Sequence, residues 1–398
     1  MSEQPALEVL RTFFRLGLTS FGGPVAHLGY FHAEVVVRRR WIDEAAYTDL
    51  VALCQFLPGP ASSKVGFALG LQRAGYLGGL AAWVGFTLPS AALMLAFAFG
   101  AHRLTGPAGT GLLHGLKLVA VAVVAQAVWV MARSLCPDWQ RASIAILVAC
   151  LILAGAAALP QAVLIAAGGV AGLWLCRGVA VVQLPATGTL IPARTGIVAL
   201  LLFAALLAGL PLLATLVPVD GIALFAAFYR TGALVFGGGH VALPLLHQEA
   251  VEPGWVSNEA FLAGYGVAQA MPGPLFTIAA YLGAIANLST RGLVGAVIAL
   301  AAIFLPGILI VLGTLPVWDR LRAVTGARAA LSGINAAVVG LLAAALVDPL
   351  WRNSVASLAD VGVVLAGFLA LTRWRAPSVL IVALGALAGA LIGWLGGV

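Results

Sequence analysis

The chain has 398 residues, of which 62% are hydrophobic and only 9% charged, with a formal net charge of +7 and a mean hydropathy of +1.07. A soluble globular chain carries about a quarter charged residues to hydrate its surface, so a water-soluble domain is excluded and most of the surface must face lipid. No tract is basic enough to suggest nucleic acid; the positive charge either sets membrane orientation or attracts an anionic solute.

The N-terminal MSEQPALEVLRTFF has acids ahead of its first Arg and no cleavage site after a short apolar core, so no cleavable signal is expected. Six apolar segments follow in the first half: Pro5–Val37, Ala45–Gln72, Gly75–Gly100, Gly111–Ala132, Ala142–Leu159 and Gln161–Cys176. One further helix, Thr195–Leu216, precedes a second six: Gly221–Ala250, Glu259–Leu288, Gly292–Leu315, Ala330–Leu350, Val355–Thr372 and Pro377–Trp394. The bilayer core offers backbone groups no water, so such runs must be helices or a closed barrel. Barrel strands would alternate polar and apolar residues, and these runs do not. The expected fold class is an all-α polytopic membrane protein of about 13 hydrophobic segments. Cys54, Cys136, Cys150 and Cys176 lie in or beside apolar segments without CxxC spacing, and are read as buried small hydrophobes.

Sliding the chain against itself exposes a repeat. Gly17, Phe21, Gly22, Gly23 and Glu34 match Gly232, Phe236, Gly237, Gly238 and Glu249 at one offset. After a one-residue gap, Trp41, Gln55, Pro58, Gly59 and Pro60 match Trp255, Gln269, Pro272, Gly273 and Pro274. Pro89 pairs with Pro306 and Gly115 with Gly333 further on. The domain reading is a first repeat over residues 1–176, a linker with one inverting helix over 177–219, and a second repeat over 220–398.

Charge sets the orientation of the halves. The loop with Arg38, Arg39 and Arg40 corresponds to Leu246–Glu259, which has no Lys or Arg but contains Glu249, Glu252 and Glu259. The bias then reverses: Ala101–Gly111 has only Arg103, whereas its counterpart has Arg320, Arg322 and Arg328. Lys/Arg-rich loops stay in the cytoplasm, so the repeat is read as inverted, with the seventh helix turning the second half over. Treating the first two segments of each half as re-entrant hairpins, broken at FGGP and PGP, keeps most arginines on the inner face.

Those breaks are where chemistry is expected. Two prolines around a glycine cannot continue a helix, and the arm Ala45–Leu57 is about 20 Å long, short of the bilayer core. Pro60 suits a first helical turn, which leaves the N–H groups of Ala61, Ser62 and Ser63 without helical partners, a ready anion site. Pro274, Leu275, Phe276 and Thr277 repeat the arrangement. A kink in a lipid-facing helix needs only one proline, so a duplicated PGP with a preceding Gln55 or Gln269 favours a site. The candidate substrate-binding set is therefore Gln55, Pro58, Gly59, Pro60, Ser62, Ser63, Lys64, Gln269, Pro272, Gly273, Pro274 and Thr277. Gly22, Gly23, Gly237 and Gly238 join it as positions where backbone approaches closely, a role that tight helix packing would serve equally. Lys117 and its counterpart Asn335 are added as intramembrane polar residues, although a Lys there also fits snorkelling. Arg15 and Arg230 precede the Gly-rich breaks and suit pairing with a dianion, or with Glu34 or Glu249. Those two glutamates are the candidate proton-coupling residues if buried, and solvated caps if at a loop edge. His27 and His240 flank the breaks at non-equivalent positions and are read as packing or hydrogen-bonding residues. No HExxH, GxSxG, Walker or paired-cysteine motif is present, so no catalytic residues, metal or cofactor are expected.

FGGPVAHLGYFHAE, RRRW, QFLPGP and the RAGYLGGL of Arg73–Leu80, echoed by FGGGHVALPLLHQE, Trp255, QAMPGP and TRGLVGA, resemble the chromate ion transporters in their long, two-domain form. The resemblance covers nearly the whole chain. It implies a secondary carrier of the inner membrane that expels chromate using the proton gradient, with sulfate as a chemical analogue. The motif Gly and Pro residues, Arg38–Arg40, Trp41 and Gln55 carry over position by position. After PGP, ASSK stands where that pattern has a polar run ending in Gln or Glu, so Lys64 leaves substrate preference open. The reading is a proton-coupled oxyanion exporter whose partners are the oxyanion and the bilayer, with a homodimer left open. A passive anion channel and a membrane-embedded chromate reductase are the alternatives from other classes.

Overall fold

The structure, a computed structural model, describes residues 5–100, 106–155, 161–176, 192–236, 242–318 and 325–394. Among these residues every regular element is a helix, and the chain is an all-α polytopic membrane protein. Five helices are long and apolar enough to cross a bilayer: Ala61–Gly100, Gly106–Leu135, Ala193–Leu216, Leu293–Val317 and Gly326–Ser354. In chain order the first half gives α1 (Pro5–Thr19), α2 (Gly23–Phe31), α3 (Glu44–Phe56), α4 (Ala61–Gly100), α5 (Gly106–Leu135), α6 (Trp139–Leu153) and α7 (Gln161–Leu175). A π-helical turn, His32–Arg38, continues α2. The expected extra helix is α8 (Ala193–Leu216), exposed along most of its length as a lipid-facing helix would be. The second half gives α9 (Asp220–Leu234), α10 (Ala242–Ala250), α11 (Asn258–Ala268), α12 (Ile278–Ile285), α13 (Leu293–Thr314), α14 (Thr325–Ala345), α15 (Leu358–Thr372) and α16 (Ser378–Trp394).

The segments expected to be broken are broken. Pro5–Val37 becomes α1 and α2, separated at Ser20–Gly22; Ala45–Gln72 becomes α3 and the first arm of α4, separated at Leu57–Pro60. As one straight helix the 40 residues of α4 would measure about 60 Å, twice the bilayer core. Instead the chain reverses at Ala74 and Gly75 (φ 64°, ψ −158°), a left-handed conformation suited to glycine. Its two arms then pack antiparallel, Gly70 against Gly78 and Phe67 against Gly79. The second half repeats the device: Gly292 adopts φ 77°, ψ −145° between α12 and α13, and Gly283 packs on Gly295. The N-caps repeat too. Asp43 accepts from the Ala46 N–H at 2.8 Å and Ser257 from the Ala260 N–H at 3.2 Å, each opening the helix that leads to PGP.

The chain forms two compact units, and each draws on both halves. The first spans Met1–Leu93, Val179–Ala242 and Pro272–Arg328; the second spans Met94–Gly178, Leu243–Met271 and Ala329–Val398. The first unit has an aromatic core in which Phe31 meets Phe13 and Phe86 edge-on, with centroids 5.3 and 4.9 Å away. Tyr47 donates to the Leu28 carbonyl at 2.6 Å and Trp318 Nε1 to Asp49 at 3.1 Å, which fixes α3 against α2 and the end of α13. The second unit packs through small residues. Gly115 of α5 lies against Gly385 and Gly389 of α16, and Gly333 of α14 lies against Gly168 and Gly172 of α7. These are equivalent pairs with the halves exchanged: the fourth segment of one repeat packs on the last segment of the other.

Of the cysteines read as buried, Cys54 and Cys176 are buried, Cys136 is half-buried and Cys150 is exposed. The correction has a simple cause. A helix facing lipid is apolar outside as well as inside, so hydrophobicity alone does not distinguish a core face there.

Candidate functional site

Both PGP turns lie in the first unit, and each is tied to the Gly-rich break of the other repeat. The Gly59 N–H donates to the Val235 carbonyl at 2.6 Å, and the Gly273 N–H donates to the Ser20 carbonyl at 2.8 Å. Ser20 and Val235 are equivalent residues, each just before a conserved-in-both-halves Phe-Gly-Gly, so the two breaks interlock reciprocally. Only glycine fits the turns. Gly59 has φ 99° and Gly273 φ 89°, and an added Cβ would stand 3.1 Å from Gly307 Cα at the first and 3.0 Å from the Phe86 carbonyl at the second. Pro58, Gly59 and Pro60 are buried, as are Pro272, Gly273 and Pro274.

Beyond Pro60 the first ladder bond of α4 runs from the Lys64 N–H to the Pro60 carbonyl at 2.9 Å. The N–H groups of Ala61, Ser62 and Ser63 therefore precede the helical ladder, inside the protein. Lys64 is 2% exposed and is the one fully buried cation among the described residues. Its Nζ donates to the Leu57 carbonyl at 2.5 Å and the Pro58 carbonyl at 2.9 Å. The ammonium thus sits at the C-terminal end of α3 and answers carbonyls the PGP turn would leave without partners. The second repeat has Ile278 in this position, and its chain tightens ahead of the turn: the Ala270 and Met271 N–H groups bond the Val267 and Ala268 carbonyls. Thr277 is buried, with its hydroxyl donating to the Pro274 carbonyl at 2.8 Å, within its own turn.

Around the first break lie polar atoms that sequence reasoning did not gather. The Oγ of Ser20, Nε2 of His27, Oγ of Ser63 and Oγ1 of Thr87 are buried without a hydrogen-bond partner. His27 Nδ1 is 3.3 Å from Ser62 Oγ, and the ring sits edge-on to Phe86 at 5.2 Å. Ser90, on the next turn of α4, places its Oγ against Gly273. The signal for Thr87 and Ser90 was available as hydroxyls flanking Pro89 in an apolar run; Ser20 and His27 were visible within the motif, but their burial was not.

The other expected residues are placed less centrally. Gln55 is on the exposed side of α3, whereas its twin Gln269 is half-buried, with Nε2 lacking a partner and Tyr265 bonded to its side chain. Arg15 is exposed on α1, and Arg230 is half-buried on α9. Gly22 and Gly23 both hold positive φ, 96° and 79°, at the start of α2. Gly237, Gly238 and His240 lie outside the described residues. Lys117, Asn335, Gln269 and Glu249 belong to the second unit, and all four are half-buried there. Glu34 anchors an ion-pair cluster outside the five spanning helices, accepting from Arg39 Nε at 2.6 Å and Arg38 at 3.2 Å. Glu8, which sequence reasoning overlooked, bonds Arg39 and Arg73 at 3.0 Å each, while both arginines lie over Trp41. Burial works to raise the Glu34 carboxyl, but the bond and charge of Arg39, with the charge of Arg38, outweigh it and hold the group below its ordinary value.

A family description for chromate transporters matches this chain twice, over residues 7–173 and 222–390. The chain is 30% identical to a chromate transport protein of Pseudomonas aeruginosa, over 98% of this chain and 92% of that one. It is 28% identical to a probable chromate transport protein of Synechococcus elongatus, over 96% and 94%. The uncharacterized transporter YwrA of Bacillus subtilis is 32% identical over 41% of this chain and 92% of its own length, so a single repeat corresponds to a whole protein there. No solved structure matches the chain.

Proposed function

The chain belongs to the chromate transporter family, and from that premise we propose that it is a secondary carrier exporting chromate across the inner membrane, coupled to the proton gradient, with sulfate as a competing analogue. The observation that carries this reading is the reciprocal pair of PGP turns, Gly59 on Val235 and Gly273 on Ser20, buried beside unladdered amides and polar side chains. Chromate is a tetrahedral dianion, and clustered N–H and O–H donors in a dry setting replace its hydration shell. The amides of Ala61, Ser62 and Ser63 supply such donors, with the buried Lys64 charge nearby. In this mechanism the repeats are inversely inserted, and the two tethers open alternately to release the anion to one face and then the other.

Everted membrane vesicles test the proposal. Labelled chromate should accumulate when a proton gradient is imposed, sulfate should compete, and an uncoupler should abolish accumulation. Equal uptake without a gradient would identify a channel instead, and loss of the chromate absorbance without accumulation would identify a reductase.

A further inference from the structure

The two PGP turns are equivalent in backbone but not in the side chains around them. At the register of the repeat, Ser20 corresponds to Val235, His27 to Ala242, Ser62 to Phe276 and Thr87 to Phe304. Each of these four polar residues has an apolar counterpart. Ser63 alone keeps a hydroxyl counterpart, Thr277, and that hydroxyl bonds its own turn. Several first-half atoms also lack partners: Ser20 is 0% exposed and His27 1%, yet Ser20 Oγ and His27 Nε2 have no bonding partner in the protein, whereas before the second turn it is the half-buried Gln269 Nε2 that lacks one. A buried polar group without a partner is destabilising, so a cluster of them is not retained by packing alone.

The geometry joins these atoms into one place. The Ser20 carbonyl receives the Gly273 N–H, and His27 Nδ1 faces Ser62 Oγ at the start of α4. Phe86 closes the far side of the ring, with centroids 5.2 Å apart. If the Ser62 hydroxyl donates to Nδ1, Nε2 bears the proton and is a donor. Hydroxyls, an imidazole N–H and helix-start amides, with no carboxylate among them, form a donor set that takes an anion.

We infer that the oxyanion is held at a single site per chain, in the first half, where His27 Nε2 donates to it alongside Ser20, Ser62 and the first amides of α4, and that the second PGP turn is its structural counterpart. This inference rests on the transport reading for the identity of the anion, though not for its binding.

The test uses the purified full-length protein and the same protein in vesicles. Calorimetric titration with chromate, and separately with sulfate, should give one anion per chain. His27→Ala should weaken binding and raise the KM for chromate about tenfold, the loss expected for one hydrogen bond to a charged group, with Vmax unchanged. His27→Gln, whose amide nitrogen reaches the place of Nε2, should recover most of that loss. Thr231→Val removes a buried hydroxyl that donates only within its own helix, to the Ala227 carbonyl at 3.1 Å, and should match wild type. Two anions per chain would overturn the inference, as would an unchanged KM in His27→Ala or an equal loss in Thr231→Val. Should His27→Ala fail to fold, Ser62→Ala decides: a raised KM supports the site and an unchanged one removes it. Wild-type protein that binds the anion without accumulating it in vesicles would defeat the transport reading and leave the site standing.

Discussion

The interlock of the two breaks can be probed by adding one carbon atom at three glycines. Gly17 is helical, and a Cβ there would meet the Phe86 carbonyl oxygen at 2.8 Å: overlap without backbone strain. Gly23 has φ 79° and open space around its Cβ position: strain without overlap. Gly59 has both, φ 99° and Gly307 Cα at 3.1 Å. The left-handed conformation costs an alanine about 1–2 kcal/mol, and forcing two backbones apart costs about 1–3 kcal/mol. Alanine offsets about 0.4–1 kcal/mol of this by stiffening the unfolded chain. Gly59→Ala should therefore destabilise by about 1–5 kcal/mol, and more than Gly23→Ala, which has the same strain without the overlap. Thermal denaturation of the full-length protein in detergent, followed by the loss of its monodisperse elution peak, ranks the three. If Gly59→Ala is no less stable than Gly23→Ala, the Gly59 turn does not press on Gly307 and the interlock as described is wrong.

Lys64→Met keeps the buried stem but removes the donor to Leu57 and Pro58, and should lower stability by about 1–3 kcal/mol with transport lost; melting curves and vesicle uptake check both. Glu34, held below its ordinary value of 4.5, contributes stability that is complete above that pH and is lost as the pH falls through the depressed value. Glu34→Gln should therefore be less stable than wild type at neutral pH and equal to it in acid, and a constant difference across the pH range would contradict the ion-pair account. The inverted insertion predicts that Arg39→Cys and Glu252→Cys are labelled by impermeant thiol reagents from opposite faces. Labelling from one face would remove the inversion, and with it the alternating-tether mechanism.

Much of this protein is written locally. The apolar runs without alternation specify helices, the missing N–H groups of Pro58 and Pro60 specify an interruption, and Asp43 and Ser257 specify where the adjoining helices start. The repeat was legible because Trp41, Gln55 and PGP recur in register, and similar backbone angles at Gly75 and Gly292 extend it where the sequence match is weak. Lys64 was legible as an unusual intramembrane cation, but not as the group that answers the Leu57 and Pro58 carbonyls, because that depends on how the turn closes.

What the sequence determined by itself is therefore the class of molecule, the breaks and their duplication, since each follows from the chemistry of neighbouring residues. Which break receives which amide was decided only in three dimensions: Gly59 reaches Val235 and Gly273 reaches Ser20, partners far apart along the chain. So was the burial of Ser20 and His27, because in a protein bathed in lipid the apolar pattern of a helix does not tell its inner face from its outer one. Burial is set by which helices meet, and here they meet across the repeats.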